Sequence, residues 1–157
     1  MPPPTTRSIT RPTTRPIMRS PWQAGPEAHT EGPALVSVTE FTADRHSQTV
    51  PIALSGLRLR RSWPQTPGAV GMWLWADPWH KRSGSVSLWT GERALYAFVG
   101  RPDHIRIVRA HKNRGTARAT SWTTDRLDPA AAWATAHALL SDSTPWPSKS
   151  VHTPEGT

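Results

Sequence analysis

His104 and His111 stand seven residues apart in Pro102 to His111, a stretch that reads as helix, and with Ile107 and Val108 they share one face by three- and four-residue steps. A neutral imidazole beside Val108 and Phe98 suits proton transfer with a phenolic or enolic molecule near neutral pH. The competing reading is a half-buried histidine that bonds backbone or a facing strand and orders its helix. Haem or metal ligation is the weakest of the three. The two histidines lie two turns apart, no acidic residue shares their face, and His80 sits in a separate loop. The expectation is therefore no metal site and no cofactor, with haem as the residual alternative.

Trp73, Trp75, Trp89 and Trp122 offer large flat apolar walls for a polycyclic or isoprenoid molecule, provided their strand faces point toward the helices; for at least two of them, plain core packing is the competing fate. Arg106, Arg109 or Arg118 would stabilise a bound anion, against the default of a solvated surface. The expected site is thus His104 as the catalytic group, with Trp73, Trp75, Trp89, Phe98, Val108, His111, Arg118 and Trp122 holding substrate. Signatures of other chemistries are missing: there is no GxSxG, GxxxxGK[ST] or GxGxxG.

The elements that must place these residues follow from periodicity. Ala34 to Phe41 alternates with period two, Leu35, Ser37, Thr39 and Phe41 on one face and Val36 and Val38 on the other. Val50 to Trp63 reads as a short helix interrupted near Gly56. Ala69 to Ala76 and Ser85 to Trp89 read as strands joined by a hairpin connection over Asp77 to Gly84, with Met72 and Leu74 opposing Trp73 and Trp75. Thr90 is the expected N-cap of a helix whose stripe is Ala94, Leu95, Phe98 and Val99; Gly100 breaks it and Pro102 restarts it. Thr116 to Thr124 is a fourth strand, and Asp128 caps a last helix, Pro129 to Leu140. The order predicts an α+β fold: a ferredoxin-like βαββαβ unit with a four-stranded antiparallel sheet, plus a C-terminal helix. Both faces of the second strand are apolar, so a second subunit packed sheet to sheet is the simplest cover for the face the helices leave open.

Residues 1–32 are rich in Pro, Thr and Arg and read as a disordered tail, because Pro12, Pro16 and Pro21 interrupt the four-residue spacing of Arg7, Arg11, Arg15 and Arg19. Residues 142–157 read as a second tail, leaving 33–141 as the folded domain. With no cysteine, disulfides, thiolate metal sites and cysteine nucleophiles are excluded, and the expected compartment is the cytosol. No apolar run is long enough to span a bilayer, so no membrane partner is expected. A net charge of +8, from 19 Lys+Arg against 11 Asp+Glu, favours anionic partners without naming one. Aromatics on a four-stranded sheet flanked by arginines would also suit RNA, but the third strand, Ser-Val-Ser-Leu-Trp, lacks a basic-aromatic run, and its sheet is too apolar to lie open.

Ser85-Val-Ser-Leu-Trp89, followed by Glu92, Ala94-Leu95, Phe98-Val99 and His104, resembles the dimeric α+β barrel superfamily of antibiotic-biosynthesis monooxygenases, nearest its spheroidene-monooxygenase-like branch. The resemblance covers Gly71 to Trp122 well and Ala34 to Trp63 loosely. It implies a homodimer with a pocket in each subunit between sheet and helices. That superfamily includes cofactor-free oxygenases, haem enzymes, lyases and proteins without known activity. The expected function is a monooxygenase-like protein acting on or binding a hydrophobic, aromatic or polycyclic metabolite. A non-catalytic ligand-binding or structural dimer is the alternative, and an RNA-binding module the more distant one.

Overall fold

The computed structural model describes residues 16–147. One antiparallel sheet organises them, built from β3 (Ala34–Ala43), β4 (Ala69–Asp77), β5 (Arg82–Trp89) and β6 (Gly115–Thr124), with two short strands, β1 (Met18–Arg19) and β2 (Gln23–Ala24), along the outer side of β4. The order β1-β4-β5-β3-β6 is the split βαβ arrangement expected from the sequence. Helix α1 (Thr49–Arg61) crosses from β3 to β4, α2 (Glu92–Val99) and α3 (Pro102–His111) cross from β5 to β6, and α4 (Pro129–Leu140) follows the last strand.

Local rules explain most of these boundaries. Asp128 accepts a hydrogen bond from the Ala131 amide and starts α4, and Pro102 stands in the first turn of α3, where its missing N–H costs nothing. Other boundaries differ from expectation. Helix α1 runs unbroken through Gly56, which lies against Leu74. Its neighbour β4, not propensity, carries it through. The N-cap of α2 is Gly91 rather than Thr90, and no side chain caps it. Strand β5 begins three residues early, at Arg82, because its register with β3 and β4 continues through Ser83 and Gly84; the connection shrinks to a single turn at Pro78–His80.

Strand register sorts the side chains onto two faces. Leu35, Ala69, Met72 and Trp89 join Trp63 and Phe98 in a core beneath α1 and α2. Val36, Val38, Val70, Trp73, Trp75, Val86 and Leu88 form the opposite core, closed by Ala132, Ala136 and Leu140 of α4. Trp73 packs against Trp133 of α4 and Trp22, with ring centroids 5.5 and 4.5 Å away. The apolar face for which a second subunit was expected is therefore covered by this chain's own C-terminal helix and N-terminal segment.

That N-terminal segment corrects another expectation. The part of the supposed tail between residues 16 and 32 pairs with β4, where Met18 lies opposite Ala76 and Gln23 opposite Met72. Ser20 donates its amide to the Leu74 carbonyl and accepts the Leu74 amide at its hydroxyl, which protects the outer edge of β4. The other tail is ordered in part as well, since the Trp146 indole donates to the Leu139 carbonyl and lies under the Arg118 guanidinium. Residues 1–15 and 148–157, including Arg7, Arg11 and Arg15, lie outside the described residues.

Candidate functional site

Between the sheet and helices α1, α2 and α3 lies a cavity of about 1070 Å³, large enough for a multi-ring molecule, since such clefts usually measure roughly 300–1,000 Å³. Its roof is apolar, formed by Ile52, Leu59, Leu95, Phe98 and Ile107. The floor is not. Because strand side chains alternate, every second residue along β3 and β5 points into it, which sets Ser37, Thr39, Ser83, Ser85 and Ser87 between the aromatic ends Phe41 and Trp89. The cavity opens where Tyr96, Val99 and Val108 are exposed among its lining.

His104 lines this cavity from the first turn of α3 and meets Phe98 edge-on at 5.1 Å. Its Nδ1 is sealed from solvent with no hydrogen-bonding partner among the described residues. Burial lowers the ring's pKa below the usual 6.5; the Asp103 carboxylate and the Val99 carbonyl pull the other way, and Arg101 adds to the lowering. The imidazole is held neutral, which is the state a proton acceptor needs.

His111 closes the same wall, 8 % exposed, with Nε2 at 3.2 Å from the Ser55 hydroxyl of α1 and its ring edge-on to Phe41. Its pKa is lowered by burial first and by Arg114 second. The Ser55 bond ties α3 to α1, while Nδ1, like that of His104, is buried with no partner among the described residues.

Of the other residues singled out from the sequence, Trp89, Phe98 and Val108 line the cavity, and Trp75, although packed in the α4-side core, borders it as well. Trp73 and Trp122 do not. Both lie on the α4 face, Trp73 among Trp22 and Trp133, and Trp122 against the core there, because the register pairs Val36 with Trp122 and Val86 with Trp73. Arg118 reaches the cavity border, but its guanidinium is committed: Nε donates to Glu40 Oε1 at 3.0 Å, Nη2 to Glu40 Oε2 at 3.2 Å, and the group stacks on Trp146. It is part of a chain whose carboxylates are buried and whose ends are exposed, in which Arg82 bridges Glu40 and Asp77, and Asp77 also takes His80. Arg106 and Arg109 lie outside this cavity, together on the far side of α3.

Several cavity residues were not singled out. Trp63 sits at 4.8 Å from Trp89 and 5.4 Å from Phe98, with its indole N–H buried and unpartnered. The alternation of Ser83, Ser85 and Ser87 with Val86 and Leu88 is the sequence signal of the polar floor. Met18, Arg19 and Ser20 line the cavity from the segment expected to be a tail. Among the described residues no cluster of three or more His, Asp or Glu side chains is arranged to hold a metal ion, and no helix is long and apolar enough to cross a membrane.

With fold and cavity defined, solved structures show the architecture. A candidate antibiotic-biosynthesis monooxygenase from Nitrosomonas europaea superposes with a TM-score of 0.53 at 9 % identity, over 64 % of this chain and 97 % of that one. One from Caulobacter crescentus CB15 gives 0.51 at 12 % identity, over 62 % and 92 %. A candidate monooxygenase from Lactobacillus acidophilus NCFM gives 0.51 at 8 % identity over 68 % of this chain, which spans about half (53 %) of that longer protein. No protein-family model and no curated relative matches the sequence. The chain has the ferredoxin-like fold of the antibiotic-biosynthesis-monooxygenase-like proteins, as the resemblance at Ser85 to His104 implied.

Proposed function

We propose that this protein binds a hydrophobic, aromatic or polycyclic metabolite between its sheet and helices, and acts on it as a cofactor-independent monooxygenase in which His104 moves the proton. The observation that carries this reading is the imidazole of His104, kept neutral by burial and set in the wall of an apolar-roofed cavity. Oxygenation without a redox centre needs a substrate that becomes an electron-rich anion. The His104 imidazole takes the acidic proton of a phenol or enol, and the carbanion form reduces oxygen; one oxygen atom stays in the product and the other leaves as water. Apolar walls exclude bulk water and raise the reactivity of that anion. Phe98 supplies a flat surface with Trp89 packed behind it, and Val108 stands at the mouth.

Oxygen consumption with anthrone, a flat ring system with an acidic C–H, tests the reading. The expected result is uptake of one oxygen per anthraquinone formed, abolished in His104→Ala while the melting temperature stays within a few degrees. Tight anthrone binding without uptake would favour the non-catalytic binding protein, and loss of fold in the variant would make the histidine structural.

The homodimer implied by the resemblance belongs to the same proposal, but on a different surface from the one first expected. Strand β6 is hydrogen-bonded along one side only among the described strands, and Ala117, Ala119 and Ser121 are exposed on it. An open ten-residue edge is what a second copy can cover. A cytosolic location, expected from the absence of cysteine, completes the proposal.

A further inference from the structure

Two pairs of hydroxyl residues face each other across β3 and β5 on the cavity floor, and they are wired differently. Thr39 and Ser85 close on each other: their hydroxyls are 2.9 Å apart and the Ser85 amide donates to Thr39 Oγ1. Ser37 and Ser87, one step along the same register, make no such bond. The Ser37 hydroxyl has no partner among the described residues although the residue is 5 % exposed and lines the cavity. Ser87, 6 % exposed, accepts the Trp89 indole N–H at 2.9 Å, so a lone pair of its oxygen is taken and its proton remains to give. The Ser37 hydroxyl and the spare proton of Ser87 are register partners on the cavity floor, so both can donate to one acceptor atom brought in by a ligand.

Resting on the binding function just argued, we propose that Ser37 and Ser87 form an oxygen-reading subsite that takes a carbonyl oxygen on the edge of a flat apolar ligand. The two hydroxyls donate to that oxygen, and Trp89 is a positioning residue that fixes Ser87 as a donor. The ligand then lies with a ring face toward Phe98, which Trp63 and Trp89 back, and its carbonyl against the sheet. No charged group takes part, so the subsite selects neutral ketones and quinones over carboxylates.

The test compares 9-fluorenone with fluorene, two probes of the same flat frame that differ in one carbonyl, by quenching of tryptophan fluorescence in the full-length protein. The expected result is that Ser37→Ala and Ser87→Ala each weaken fluorenone about tenfold, or about 1.4 kcal/mol, and leave fluorene within about twofold. Fluorenone's carbonyl stretch should move to lower frequency on binding to the unmodified protein and return toward its unbonded value in the double variant. Trp89→Phe keeps the ring but removes the N–H; in that background Ser87→Ala should cost less than it does alone. If both probes bind and neither variant separates them, the subsite is wrong and only a water-filled vacancy remains, while the cavity reading stands. If neither probe binds, both fall.

Discussion

Histidine chemistry in this protein is set by burial. His104 and His111 both titrate below 6.5, chiefly because their rings leave water. A proton acceptor of that kind is active above its own pKa, so kcat/KM for anthrone should be flat through neutral pH and fall only below 6.5, while His104→Gln, which keeps the bulk but not the base, should show no enzymatic uptake at any pH. Stability follows the same sign. As pH falls through 6.5 the unfolded chain takes up protons that the folded chain refuses, so the contribution present above 6.5 is lost on acidification toward the lowered folded pKa values. Urea midpoints at pH 7 and pH 5 should show the loss, reduced in a His104→Gln, His111→Gln double variant. Asp77 adds nothing in that range. Burial pushes its carboxyl up, but hydrogen bonds and charge from Arg82 and His80 outweigh it and hold it below 3.8, so its share is lost only under stronger acid. Glu40 is the more costly residue to change. At 6 % exposure it answers both Arg82 and Arg118, and Glu40→Ala leaves Arg82, itself largely buried, without one of its two carboxylates. We expect a loss of about 1–3 kcal/mol by urea denaturation, the cost of leaving part-buried donors without their acceptor while Asp77 still holds Arg82.

At the scale of elements, the serines of β5 and the helices above them divide the labour. Alternation places Ser83, Ser85 and Ser87 on the cavity side and Val86 and Leu88 on the core side, so one strand serves both layers. Helix α1 shows how a neighbour overrides propensity. A glycine inside a helix costs about 1 kcal/mol relative to alanine, yet α1 passes through Gly56, where an added Cβ would stand 3.5 Å from Leu74 in ordinary contact. Gly56→Ala should therefore stabilise the protein by about 0.5–1 kcal/mol in urea denaturation while narrowing the cavity. Gly71 behaves oppositely. The Trp22 indole occupies the space its Cβ would need, so Gly71→Ala should expel Trp22 and loosen the N-terminal strap. Limited proteolysis would report this as faster cleavage before residue 25, with the sheet core still protected.

For the whole molecule, the consequence of α4 is a sheet already covered on both faces within one chain. Light scattering checks the remaining route to a dimer: a mass twice that of the chain is expected, and Ala119→Lys on exposed β6 should shift it toward the single chain. A mass equal to one chain at all concentrations would remove the dimer. The sequence by itself determined the order of elements, because period-two alternation from Ala34 and Ala69, Pro102 at a helix start and Asp128 as a cap are local signals that each neighbourhood enforces alone. It also brought His104 and Phe98 forward as neighbours, since the two helices that carry them follow one another with only Gly100 and Arg101 between. It did not say which strand face met which helices. Trp73 and Trp75 look alike beside Met72 and Leu74 when both faces are apolar, and only α4, returning from far along the chain, decided that Trp73 and Trp122 belong to its core. The N-terminal segment was equally illegible, since a two-residue strand has no periodicity of its own and exists only because β4 offers it an unpaired edge.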